Sequence, residues 1–92
     1  MDYKLDGNKL MSKGQKIGFI DGNSIRDGHS NKVGTIDGRS IRDAHGGKVA
    51  EFDGENIRDA HGVRIGTMHD VRKMIDGQGG ISLAALWYFF VR

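Results

Sequence analysis

The feature that most constrains this chain is a sixteen-residue repeat. The heptapeptide Asp-Gly-x-x-Ile-Arg-Asp starts at Asp21, Asp37 and Asp53, and weaker copies start at Asp6 and Asp70. A fixed period of this kind indicates a fold that is assembled from equivalent small units placed side by side. Long helices are not expected, because fifteen glycines and no proline are typical of a chain with many tight reversals.

A second repeated feature lies between the heptapeptides. It is a branched aliphatic residue followed by a small one, at Ile17-Gly18, Val33-Gly34, Val49-Ala50 and Ile65-Gly66. Two residues later a large apolar side chain follows, at Ile20, Ile36, Phe52 and Met68. Both halves of the sixteen-residue period therefore contain residues that recur in each copy. Gly18, Gly34 and Gly66 are predicted to be structural residues.

Each period contains two predicted turns. Asp-Gly between short apolar runs predicts a β-hairpin, because the pair accepts a type I′ turn or a bulged type I turn. The structural residues of these turns are Asp21, Gly22, Asp37, Gly38, Asp53 and Gly54. The second junction, Asp43-Ala44-His45-Gly46 and its copy at 59–62, predicts a turn that Asp caps and in which Gly takes the left-handed position of a bulge.

Counting from the turns predicts four strand-turn-strand units in one domain of 92 residues. The units span 8–20, 23–36, 39–52 and 55–68, followed by a connector over 69–80 and an apolar segment over 81–92. A flat meander would expose two sheet edges, whereas radial closure protects them. We therefore predict an all-β fold, a four-fold radial array of β-hairpin repeats around the buried C-terminal segment.

The segment Ile81–Val91 is apolar on every side, which favours a short buried helix. Residues Trp87–Val91 taken alone favour a strand. Because the first eighty positions are poor in apolar residues, the segment is predicted to fill the centre of the array, with Trp87 as a structural residue. The alternatives are an array that closes without the tail, and a tail that anchors the chain to a membrane or a partner.

Composition bounds the class of protein. The chain has no cysteine, so it contains neither a disulfide framework nor a thiolate zinc site. The net charge is +2 with acidic and basic residues interleaved, which argues against a nucleic-acid partner. The N-terminus lacks the apolar run of a signal peptide, and the apolar tail is about half the length of a membrane span. We expect a cytoplasmic protein without a membrane span.

The chain resembles the small bacterial four-fold beta-flower proteins. The resemblance rests on four copies of the pattern Ile-x-Asp-x-x-Gly-x-x-Ile-Gly-x-Ile, a glycine hinge at Gly79-Gly80 and an Ala-Ala-Leu-rich end, and it spans nearly the whole chain. It implies a four-fold radial β-fold with no assigned reaction or ligand. The first unit departs from the pattern, because it has Met11-Ser12 in place of Arg-Asp and a shorter turn.

Two sets of repeated polar residues are candidate sites. His29, His45 and His61 could bind zinc or nickel or form a pH-sensitive ring, but repetition of an exposed turn position explains the same spacing and is the interpretation we favour. Three repeated arginines could bind a phosphate or carboxylate. The Asp that follows each one favours surface ion pairs and turn capping instead. The arginines are Arg26, Arg42 and Arg58.

Other chemistries find less support. Calcium loops place several oxygen ligands at alternating positions, and no such run occurs in this sequence. No nucleophile elbow, paired-carboxylate arrangement or phosphate-binding loop can be identified. We therefore predict a protein that is not an enzyme and has no cofactor: a small interaction or scaffolding module whose partner is an unknown protein or a second copy. A metal- or anion-binding module is the first alternative, and a peripheral nucleic-acid or membrane binder is the second.

Overall fold

The computed structural model describes residues 2–92, and in them ten strands form a single sheet. The strands are β1 (Tyr3–Asp6), β2 (Lys9–Ser12), β3 (Gln15–Asp21), β4 (Ser24–Asp27), β5 (Lys32–Asp37), β6 (Ser40–Asp43), β7 (Lys48–Phe52), β8 (Asn56–Asp59), β9 (Arg64–Thr67) and β10 (Ile75–Asp76). The helices are α1 (Met68–Met74), α2 (Ile81–Leu86) and a π-helical turn (Trp87–Val91) that continues α2.

The strand order is β10-β1-β2-β3-β4-β5-β6-β7-β8-β9, so that strands consecutive from β1 to β9 are neighbours and pair antiparallel. Each of the four units predicted from the repeat contains two of these strands, beginning with β2 and β3 over 8–20. The prediction of a β fold with a short C-terminal helix is confirmed.

The Asp-Gly turns are hairpin turns of a different type from the one predicted. Gly7, Gly22 and Gly38 have φ values of +63°, +62° and +61°, whereas the second central residue of each turn is not left-handed. A positive φ at the first central position alone is the pattern of a type II′ turn, not of type I′. The register is regular across the Gly22 turn, with Asp21 opposite Ser24, so neither predicted type, a type I′ turn or a bulged type I turn, is formed there.

A β-bulge explains the repeated pair of a branched aliphatic and a small residue. In each unit the strand register shifts by one residue, so that one aliphatic side chain has no cross-strand partner. These unpaired residues are half-buried and pack against the core: Ile17, Val33, Val49 and Ile65. The small residue that follows is buried opposite a fully buried large one, in the pairs Leu10–Gly18, Ile25–Gly34, Ile41–Ala50 and Ile57–Gly66.

The small residues make room for the C-terminal helix. A Cβ atom on Gly18 would lie 2.5 Å from Cε2 of Phe90, and one on Gly66 would lie 2.8 Å from Cη2 of Trp87. The same atom on Gly34 would lie 2.6 Å from Cζ of Phe89. Aromatic rings of the tail therefore sit directly on the backbone of three different units, which is possible only where the side chain is a hydrogen atom.

The tail is the centre of the apolar core. Leu83, Ala84, Ala85, Leu86 and Trp87 are all buried, and they form one cluster with the buried residues of the strands. Trp87 is buried and residues 88–91 are half-buried against the core. This packing accounts for the helical conformation of Trp87–Val91, because tertiary contacts override the strand preference of aromatic residues. Among residues 2–92, no helix is both long and apolar enough to cross a membrane.

The connector expected over 69–80 contains ordered structure that the sequence analysis did not predict. Helix α1 begins with a capping box in which Thr67 Oγ1 accepts from the Asp70 amide at 3.2 Å and Asp70 Oδ2 accepts from the Thr67 amide at 3.0 Å. Strand β10 then pairs in parallel with β1, Tyr3 opposite Ile75. Helix α1 thus connects the two strands that lie at opposite ends of the strand order.

A glycine substitution tests the packing between the tail and the sheet. In Gly34→Ala the new methyl group would overlap Phe89 and the Arg42 carbonyl, so we expect a loss of about 2–3 kcal/mol in the free energy of unfolding. The matched variant Ala50→Gly removes the methyl group at the equivalent position of the next unit and should cost about 1 kcal/mol. Urea denaturation measures both. A Gly34→Ala protein as stable as the wild type would contradict the packing.

Candidate functional site

Three loops carry most of the repeated polar residues. We call residues 27–31, 43–47 and 59–63 the Asp-capped loops. In the second of them Asp43 Oδ1 accepts from the amides of His45 and Gly47, both at 2.9 Å. Asp27 and Asp59 make the equivalent bonds at 2.8 to 3.0 Å. The cap predicted at this turn is confirmed, and the carboxylate oxygen it uses is committed to backbone donors.

The same bonds lower the pKa of the capping carboxyls. The amide of Asn31 is the main cause of the lowered pKa of Asp27, and the amide of Gly47 is the main cause for Asp43. The amide of Val63 has the same effect on the pKa of Asp59. Donors that face a carboxylate favour its charged form, and so the caps are ionised at neutral pH.

The left-handed position of each Asp-capped loop lies three residues after the Asp. Gly46 and Gly62 have φ values of +90° and +83° there, as the sequence predicted. In the first loop this position is occupied by Ser30, with φ of +71°. The corresponding reversal of the first unit is a tight turn at Lys13-Gly14, both with positive φ, which is the type I′ pattern. The first unit therefore has no Asp-capped loop.

The repeated arginines hold the same loops closed. Arg26 Nη1 donates to the Ser30 carbonyl at 3.0 Å, and Arg42 and Arg58 donate to the carbonyls of Gly46 and Gly62. The Nε atoms of the first two also face acids of the preceding turn, at 3.5 Å in Arg26–Asp21 and 3.4 Å in Arg42–Asp37. Much of the guanidinium hydrogen-bonding capacity is thus used within the hairpins.

The repeated histidines lie exposed in the Asp-capped loops, where each donates its backbone amide to the capping Asp: His29, His45 and His61. Across residues 2–92, no three His, Cys, Asp or Glu side chains come together as a metal site would require. The structure places the histidines in equivalent loops without bringing them into one cluster.

One set of repeated residues was missed in the sequence. Basic residues recur every sixteen positions at Lys16, Lys32, Lys48 and Arg64, just after the Asp-capped loops or the tight turn of the first unit. These basic residues recur with the same sixteen-residue period as the histidines, so the sequence alone contains the pattern. Its meaning depends on strand register, because register decides that the last three lie directly opposite the repeated arginines.

An open cleft of about 600 Å³ lies where β10 joins β1. It is lined by Lys4, Leu5, Gly7, Asp76, Gly77, Gln78 and Gly79. Arg72 Nη2 donates to the Gln78 carbonyl at 2.8 Å beside it, which fixes the connecting segment. Its lining combines one basic, one acidic and one amide side chain with Leu5 and three glycines.

Comparison of the chain with protein-family models, with curated proteins and with solved structures finds no match.

The Asp caps predict a specific loss of stability in acid. Because the folded pKa values are lowered, the caps contribute stability above about pH 4, and this contribution is lost as the pH falls through the folded values. The triple variant Asp27→Asn, Asp43→Asn, Asp59→Asn should therefore show a shallower fall in unfolding free energy below pH 4. Urea denaturation between pH 2 and 7 measures it.

The control for this experiment replaces Asp2, Asp6 and Asp76 with Asn, since these exposed carboxylates cap no loop. It should keep the acid dependence of the wild type. Acid dependence that is equal in the wild type and the triple cap variant would show that the caps do not contribute to stability.

Proposed function

We propose that this chain is a non-enzymatic interaction module in which four hairpin units surround the C-terminal helix and present their loops and outer face to a partner. The observation that carries this proposal is the use of the repeated Asp and Arg side chains. They bond to their own loops, and so they maintain the framework rather than a reaction centre. The last position of each Asp-capped loop is exposed and differs among units, being Asn31, Gly47 or Val63.

A radial, four-fold arrangement of the units is part of this proposal. It is supported by the four equivalent bulges, by the sequential strand order and by the return of β10 to pair with β1. The contacts of Trp87, Phe89 and Phe90 with three different units also support it, because one short helix reaches them all. Membership of the beta-flower family would account for the same features.

Photo-crosslinking tests the interaction function directly. A benzophenone amino acid would be placed at Ala44 or Val63, both exposed in Asp-capped loops, in cells that express the chain. We expect a discrete crosslinked species from these positions. The control position is Met74 on α1, which is 44% exposed but lies outside the hairpin units, and it should give no such species. Absence of a crosslinked product from both loop positions in a folded protein would contradict the proposal.

A further inference from the structure

The chain contains six Asp-Gly pairs, and the same spontaneous reaction is open to each of them. The main-chain nitrogen of the glycine attacks Cγ of the preceding Asp side chain in its neutral, protonated form. The N–Cγ bond forms, the Cγ–OH bond breaks and the nitrogen loses its proton, so that water leaves and a cyclic succinimide remains. The pairs begin at Asp6, Asp21, Asp27, Asp37, Asp53 and Asp76.

Water then reopens the succinimide. When it adds to the main-chain carbonyl carbon of the Asp, the bond from that carbon to the glycine nitrogen breaks and the nitrogen regains a proton. The chain now continues through Cβ and Cγ, which is an isoaspartyl linkage. The mass of the protein is unchanged, but its backbone contains an additional carbon atom. Glycine favours the reaction because it has no side chain to hinder the attack.

Two of the six carboxylates are held in an unreactive state by backbone amides. Asp27 Oδ1 accepts from the amide of Asn31 at 3.0 Å, and Asp53 Oδ1 accepts from the amide of Asn56 at 2.7 Å. Each also accepts from the amide two residues after it. These amides are the main cause of the lowered pKa of both carboxyls, which disfavours the neutral form that reacts.

Three other pairs share one turn geometry. Asp6, Asp21 and Asp37 each precede the glycine of a type II′ turn, and the glycine φ values are +63°, +62° and +61°. All three pairs are exposed, and a Cβ atom on any of these glycines would meet no atom within 4 Å. The space around the reacting peptide unit is therefore open in all three turns.

These three turns differ in the partner of the carboxylate. Oδ2 of Asp21 and of Asp37 lies 3.5 and 3.4 Å from Nε of the arginine five residues later. In the first unit the equivalent position is occupied by the uncharged Met11, and among residues 2–92 no cation lies within ion-pair distance of Asp6. An exposed ion pair is weak, but it restrains a carboxyl group that must turn onto its own glycine.

The pair at Asp76 has no ion-pair partner among residues 2–92 either, but its glycine is packed. A Cβ atom on Gly77 would lie 3.1 Å from Cβ of Leu5 and 3.3 Å from Cδ1 of Leu83. Asp76 also pairs with Lys4 in the parallel ladder of β10 and β1. Closure of the succinimide ring needs rotation of the peptide unit between Asp76 and Gly77, and this packing opposes it.

We propose that Asp6-Gly7 is a modification site, at which aspartate converts to isoaspartate faster than at the other five Asp-Gly pairs. The consequence falls on β1, the strand that joins β10 to the rest of the sheet. Asp6 lies opposite Lys9 at the end of the hairpin, next to the pair of Leu5 with the fully buried Leu10. An additional backbone carbon at this point disturbs that register, so the modified chain loses the pairing of β1 first.

The first test measures the rate at each site in the full, folded chain. The protein is incubated in mildly acidic buffer, and peptide mapping with electron-transfer dissociation distinguishes isoaspartate from aspartate. We expect Asp6 to react about twofold to threefold faster than Asp21 and Asp37, and at least about tenfold faster than Asp27 and Asp53. In about 6 M guanidinium chloride, which unfolds the chain, these differences should disappear.

The second test exchanges the residue that distinguishes the turns. Met11→Arg supplies the missing guanidinium group and should slow the reaction at Asp6 to the rate of wild-type Asp37. The matched variant Arg42→Met should raise the rate at Asp37 to that of wild-type Asp6. Asp21 is the internal control, because its own arginine is retained in both variants and its rate should not change.

Three results would overturn this inference. They are a rate at Asp27 or Asp53 that equals the rate at Asp6 in the folded chain, a ranking of sites that persists in guanidinium chloride, and unchanged rates at Asp6 and Asp37 in the two exchange variants. If Met11→Arg fails to fold, Arg42→Met and the wild-type ranking still decide. The purified isoaspartyl form should also melt below the unmodified protein, and an equal melting temperature would contradict the effect on β1.

Discussion

The contact between the aromatic tail and the glycines of the hairpins is the interaction on which this structure depends. The strands are short, and each unit contributes only a few fully buried large side chains, such as Ile25 and Ile41. Small residues at the bulges allow the rings of Trp87, Phe89 and Phe90 to approach the sheet backbone. One short helix can thereby complete the core of several hairpins, none of which is large enough to be stable alone.

The repeated Asp and Arg residues stabilise the loops rather than the apolar core. Every unit after the first reverses at an exposed loop, in which a single Asp accepts hydrogen bonds from two backbone amides and so favours one conformation of the loop. The Arg that precedes this Asp donates a hydrogen bond to a carbonyl of the same loop. Repeated charged residues in this chain are thus largely internal supports of the turns, which explains why they form no common centre.

The sequence predicted the hairpin repeats, the Asp caps and the helical tail because each depends on local chemistry or on a strong apolar run. Gly46 and Gly62 were correctly placed in the left-handed region for the same reason. The turn type at Gly22 was predicted wrongly, since Asp-Gly is compatible with more than one positive-φ turn. Strand β10 was not predicted, because two residues have no periodicity and their pairing with β1 is long-range. The position of Arg26 opposite Lys32 was not predicted, because it depends on the strand register, which the bulges shift by one residue.

Deletion of residues 81–92 tests most directly whether the tail holds the hairpins together. Without those residues the inner face of the sheet would lose Leu83, Leu86 and Trp87 and would be open to water. Our account predicts that the truncated chain shows no cooperative thermal transition by far-ultraviolet circular dichroism and has poorly dispersed amide resonances. A truncated chain that melts cooperatively near the wild-type temperature would show that the strands are stable by themselves.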